Sequence, residues 1–160
     1  CDNYLRVTGP KAEMEKLYDA ATSSEMGVGL CSHVMPLADD TGVLGASAHW
    51  GTKWDINAAE GDIYEADNGD MTVELSFISA WSPPIGVYEK LCDSGYSVFA
   101  GYYETGMDMC GIFEDGEDRE YNIFDNEEFF ETVDDGIVLD EMFGVLETLE
   151  MIKGDYNEEW

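Results

Sequence analysis

The sequence predicts an α+β domain, and three observations carry that prediction. Asn3 to Thr8 alternates apolar and polar residues like a strand, then meets Gly9-Pro10 and a run of apolar residues at helical spacing. Asn68-Gly69 lies between two alternating apolar runs, the strongest short-range signal of a hairpin. Ser82-Pro83-Pro84 opens a second helical segment, and a strand-like run from Tyr96 to Tyr103 follows it.

Taken in order, the first strand gives way to a helix with Pro10 at its first position, where a missing N–H costs nothing. Met14, Leu17, Tyr18 and Ala21 mark the buried stripe of that helix. From Ser23 to Gly45 the chain is rich in Gly, Ser and Asp, with Val28, Leu30, Val34 and Met35 as its apolar anchors, which predicts an irregular excursion with one short strand. Ile63 to Ala66 and Met71 to Ile78 form the Asn-Gly hairpin. The second helix takes Ser82 as its N-cap, buries Val87, Tyr88 and Leu91, and stops near Gly95. A strand over 96–103 follows, and then a second hairpin, Cys110–Phe113 with Tyr121–Phe124, around the acidic loop 114–118. Asp125-Asn126-Glu127-Glu128 has the spacing of a cap before Phe129-Phe130. Behind Asp134-Asp135, whose charges suit a helix N-terminus, Val138, Met142, Val145, Leu146, Leu149 and Ile152 make the apolar stripe of one last helix.

The order βα, loop, ββα, β is the split βαβ pattern of ferredoxin-like folds. Residues 1–113 are read as that core, with an insertion at about 23–60. Residues 114–160 are read as an acidic hairpin-plus-helix extension of the same domain. A chain of 160 residues suits one such core. Its 44% hydrophobic and 12% aromatic residues argue for a folded interior despite a net charge of −29.

That charge is uneven. Residues 1–103 hold 16 acids against 5 basic residues, and residues 104–160 hold 20 against 2. Such a field repels nucleic acid and acidic membranes and favours encounter with basic surfaces. No apolar run approaches the length that spans a bilayer. Cys1, Cys31, Cys92 and Cys110 are scattered without a CxxC pair, so they read as reduced thiols of a cytosolic protein, with no zinc site and no cofactor. Neither Asp115-Gly116-Glu117-Asp118 nor Asp67-Asn68-Gly69-Asp70 has the spacing of a calcium loop. No phosphate-cradling glycine motif and no nucleophile elbow is present.

Three segments carry a family resemblance: Trp50-Gly51-Thr52-Lys53-Trp54-Asp55, then Ala80-Trp81-Ser82-Pro83-Pro84-Ile85-Gly86-Val87, then Tyr102 to Met107 running into Gly111-Ile112-Phe113. With the opening Cys1 to Pro10, they resemble the YubB-like family of phage and plasmid proteins. The resemblance spans roughly residues 1–115. It implies a ferredoxin-like domain of mobile-element origin and brings no agreed catalytic residues.

Two candidate sites emerge. From Glu114 to Asp135 there are 11 acids against Arg119 alone: Glu114, Asp115, Glu117, Asp118, Glu120, Asp125, Glu127, Glu128, Glu131, Asp134 and Asp135. Duplex DNA carries about one charge per 1.7 Å of axis, and carboxylates on a hairpin and short helices imitate such a row, with Phe129, Phe130 or Trp160 as apolar anchors. The expected function is therefore a non-enzymatic, DNA-mimic-like inhibitor. Its partner is the basic nucleic-acid-binding surface of a host defence protein or nuclease, in the host cell cytosol. The alternative is a small-ligand or hydrolytic site built from Trp50, Lys53, Trp54, Trp81 and Glu104, against the plainer reading that the tryptophans close the sheet and Lys53 pairs with Glu104 or Asp55. A third reading is a homodimer through the stripe of the C-terminal helix.

Overall fold

The computed structural model describes residues 1–25, 28–37 and 42–158. Strand β1 (Asp2–Gly9) leads into helix α1 (Lys11–Thr22), and two further helices, α2 (Leu30–Val34) and α3 (Gly42–Trp50), precede β2 (Glu60–Glu65) and β3 (Met71–Ile78). Helix α4 (Ile85–Asp93), then β4 (Ser97–Glu104), β5 (Met109–Glu114) and β6 (Glu117–Tyr121) follow. The chain continues through α5 (Glu127–Thr132), α6 (Asp134–Phe143) and α7 (Val145–Glu158). The protein is thus α+β, with one antiparallel sheet in the order β2-β3-β1-β4-β5-β6.

Period-two alternation assigns every strand two faces. On the first face Leu5, Val7, Val73, Leu75, Val98, Ala100 and Phe113 pack under Met14 and Leu17 of α1 and Val87, Tyr88 and Leu91 of α4. On the second face Tyr103, Cys110 and Ile112 form a separate core with Ile123, Phe130, Leu139, Val145 and Leu149 from the C-terminal segments. The helices of the second face reach only the β4-β5-β6 half. Over β2-β3-β1 that face stays open, with Asp2, Asp62, Ser76 and Ile78 exposed.

Five expectations are corrected. The excursion after α1 holds the helices α2 and α3 and, among the described residues, no strand. Asp55 explains α2: its carboxylate accepts the Cys31 and Ser32 backbone N–H groups (2.8 and 3.2 Å) and the Ser32 hydroxyl (2.5 Å). It thereby satisfies donors that a helix start leaves orphaned. Ser82 does not cap α4, which starts at Ile85 behind Pro84. Its hydroxyl donates to the Gly51 carbonyl. Asn126 stands at the start of α5 without a side-chain cap bond and donates instead to the Asn122 carbonyl, 2.8 Å away. The acidic loop 114–118 shrinks to the two-residue turn Asp115-Gly116, with φ of 45° and 98°, so Glu117 and Asp118 are strand residues. The last stripe belongs to two helices, because Gly144 (φ 65°) ends α6 in the left-handed conformation.

Candidate functional site

Most acids of residues 114–135 stand on β5, β6, α5 and α6, which the second core holds against the sheet, whereas Asp115 lies in the β5-β6 turn and Asp125 just before α5. Register separates them. Glu114 and Glu117 pair with each other on the second face, whereas Asp118 opposite Phe113 and Glu120 opposite Gly111 project on the first. The carboxylates therefore do not share one face.

Several are used internally. Asp135 receives Arg119 Nε at 2.7 Å and Nη2 at 3.1 Å, with the Tyr121 hydroxyl at 2.6 Å. The guanidinium hydrogen bond holds the Asp135 carboxyl below its ordinary range and raises Arg119 above its own. Glu114 and Glu117 flank the same guanidinium, each at 3.7 Å. Asp115 accepts the Val98 N–H at 2.9 Å, fixing the turn to β4. Asp118 accepts the Tyr102 hydroxyl at 2.7 Å, and burial, with that bond second, pushes the phenol's pKa up. Lys153 Nζ lies 2.5 Å from Glu127 Oε1 and lowers that carboxyl. Glu120, Asp125, Glu128, Glu131 and Asp134 are exposed and, among the described residues, make no side-chain hydrogen bond or ion pair.

The expected aromatic anchors face inward. Phe130 is 1% exposed, and Phe129 packs edge-on against it at 5.0 Å and against Tyr121 at 4.4 Å. Trp160 lies outside the described residues. The C-terminal stripe also faces the chain's own sheet: Val145 and Leu149 are buried in the second core, and Val138 and Leu146 pack against it.

The aromatic segments sort differently from the expected pocket. Trp50 is buried in the first core and donates its indole N–H to the Met35 carbonyl at 2.8 Å. Trp54 (66% exposed) and Lys53 are at the surface. Trp81, at φ 66°, lies against Gly106. Glu104 accepts the Gly106 N–H at 3.1 Å and the Cys1 nitrogen at 3.0 Å, so it pairs with neither Lys53 nor a tryptophan. Three surface clefts of about 830, 670 and 310 Å3 are all lined by other residues.

What the first two motif segments build is a clasp, and Trp81 of the second lies against Gly106 of the third. Thr52 accepts the Ala80 N–H at 3.1 Å, and the Ser82 hydroxyl reaches Gly51. A Cβ on Gly86 would lie 1.8 Å from the His49 carbonyl oxygen, so α4 touches the end of α3 backbone to backbone. Buried Asn3 joins the clasp, donating to the Ser79 hydroxyl (2.8 Å) and accepting from Tyr88 (3.1 Å).

Two features escaped the sequence. Asp108, at φ 49°, accepts the Phe124 and Ile123 N–H groups at 2.9 and 2.7 Å, which lowers its carboxyl and ties the turn after β4 to the segment entering α5. The open half-sheet was the other, since no local pattern reports which face remains uncovered. Among the described residues no cluster of three or more metal-ligating side chains occurs, and no helix is long and apolar enough to cross a membrane. No protein family, curated protein or solved structure matches the chain.

Proposed function

We propose that this chain is an acidic, non-enzymatic inhibitor that occupies the basic nucleic-acid-binding surface of a host defence protein, displacing the nucleic acid. The observation that carries the reading is the set Glu120, Glu128, Glu131 and Asp134. These exposed carboxylates sit on regular elements docked by Ile123, Phe130 and Leu139, so their spacing is fixed before any partner arrives. Preordered charges lose less entropy on binding than a disordered acidic tail. The few cations of this region, Arg119 and Lys153, are each matched by an acid of the same chain, Asp135 and Glu127.

The ferredoxin-like reading of the core rests on the strand order β2-β3-β1-β4, with α1 and α4 on one face. The YubB-like reading draws support from the way its segments meet in one clasp at the end of the sheet. A mobile element that must evade restriction or a related DNA-targeting defence is a fitting source for such an inhibitor. The host cytosol, where thiols stay reduced, is the fitting compartment for four unpaired cysteines.

The test is capture from bacterial lysate at moderate salt with wild type and with a variant carrying Glu120→Gln, Glu128→Gln, Glu131→Gln and Asp134→Asn. Asp135 and Glu127 are left intact because they hold Arg119 and Lys153. The expected result is a DNA-binding or DNA-cleaving protein that wild type retains, that duplex DNA displaces, and that the variant loses. Capture that survives the neutralisation, or that DNA does not displace, refutes occlusion by these acids.

A further inference from the structure

We infer that the open second face of β2-β3-β1 is a docking groove for one amphipathic, basic helix of a partner protein, separate from the acids on β6, α5 and α6. The argument starts from layer geometry. α6 covers β4 and β5, its Met142 lying over Gly101, and nothing among the described residues covers β1, β3 and β2 beside it. Strands stand about 4.8 Å apart, so the axes of β1 and β2 are separated by about 10 Å, the distance at which one helix packs beside another. The long strands β1 and β3 have 8 residues each, about 27 Å, the length of a helix of about 18 residues. One end of this face is a cleft of about 830 Å3 lined by Tyr4, Ile78, Met142 and Phe143 together with Asp2 and Glu60, and the rest of β1, β3 and β2 extends away from it.

Chemistry selects the occupant. Ile78 is 76% exposed at the end of β3, opposite Asp2 at the start of β1, and Met142 and Phe143 line the same cleft and extend its apolar surface. Asp2 and Glu60 lie beside that apolar surface and Asp62 and Glu74 continue the acidic face along the strands, against Arg6 alone, which is laid over the Phe99 ring, 4.9 Å from its centroid. An apolar strip bordered by carboxylates matches a helix with an apolar ridge flanked by Lys and Arg. Nucleic acid and anionic membrane are repelled by the same carboxylates.

The experiment uses the full chain and two fluorescent peptides of about 18 residues and identical Leu, Lys and Arg content, one patterned as an amphipathic helix and one scrambled. Anisotropy at physiological salt should show the patterned peptide binding at least about tenfold more tightly, the worth of burying one large apolar side chain. Ile78→Glu should weaken it by about tenfold even though the substitution adds an attractive charge. The four-amide variant of Glu120, Glu128, Glu131 and Asp134 should bind the patterned peptide within about threefold of wild type once salt screens the distant charges. That result keeps this groove distinct from the inhibitor surface, so either proposal fails without the other. Equal affinity for both peptides, or an Ile78→Glu variant that binds like wild type, overturns the inference. A wild-type dimer that Ile78→Glu converts to monomer also overturns it, by making a second copy the occupant.

Discussion

Arg119 of β6 and Asp135 of α6 meet at two points, Nε to Oδ2 at 2.7 Å and Nη2 to Oδ1 at 3.1 Å. The contact ties the outermost strand of the sheet to the helices that cover half its second face. Arg119 is thereby withdrawn from the acids around it: the only basic residue between Glu114 and Asp135 is directed at a carboxylate of its own chain.

Arg119→Ala and Asp135→Asn should each destabilise the fold by about 1–2 kcal/mol at neutral pH, less than a fully buried charged contact because water reaches both groups. The pH dependence fixes the cause. The folded carboxyl titrates below its ordinary 3.8, so its contribution is present above that value and is lost as pH falls through the lower folded one. Urea midpoints of wild type and Asp135→Asn should therefore differ at pH 7 and converge once pH has fallen below the lowered folded value. A difference that persists there points to lost packing.

Gly86 makes the motif clasp testable. Because an added Cβ would sit 1.8 Å from the His49 carbonyl oxygen, Gly86→Ala must push α4 away from α3. The expected cost is about 3 kcal/mol, at the upper end for overpacking. Gly116→Ala, in open space at φ 98°, should cost only about 1 kcal/mol through backbone strain. Equal effects of the two, measured by thermal unfolding, would mean that the clasp gives way easily.

Where one face of an element is buried, its sequence was legible. β1 and β3 alternate cleanly because their first-face residues fill the core, and Asn68 and Gly69 adopt φ of 64° and 80°, the geometry an Asn-Gly turn requires. β6 hid because Glu117 to Tyr121 offers no apolar period: its partners are the charged Asp135 on one side and the Tyr102 hydroxyl on the other. Asp115-Gly116 is a turn signal of the same kind as Asn68-Gly69, but the acids on both sides of it hide where the flanking strands begin and end. α2 hid because its stabilising carboxylate, Asp55, lies beyond it in sequence and beyond any local window. The candidate acids were all visible, but their split between two faces depends on the register of β5 with β6, and the loss of Phe130 to the core depends on how α5 docks.

Thiol accessibility separates the four cysteines. Cys31 and Cys110 are both 0% exposed, burial raising the first thiol strongly and pushing the second up to about 12. Cys1 and Cys92 are partly exposed. A disulfide reagent at pH 8 should label two thiols quickly and the other two at the rate of unfolding, since only an accessible thiolate reacts. Cys92→Ser should leave one fast thiol. Four fast thiols would contradict the packing of both cores.

The strongest general consequence is for salt. A net charge of −29 on 160 residues repels itself, and the exposed set Glu120, Glu128, Glu131 and Asp134 adds to that field without any internal cation to offset it. Raising NaCl from 0.05 to 0.5 M shortens the screening length to a few ångströms, which relaxes repulsion between neighbouring elements while weakening the Arg119–Asp135 contact by far less, since its atoms touch. Repulsion wins by number. The melting temperature should rise by about 5 °C, equivalent to about 1–2 kcal/mol for a domain of this size. The four-amide variant should melt higher at low salt and gain less on adding it. A wild-type melting temperature flat across that range would mean that the carboxylates are too far apart to sense one another, and a surface that sparse cannot stand in for a row of phosphates.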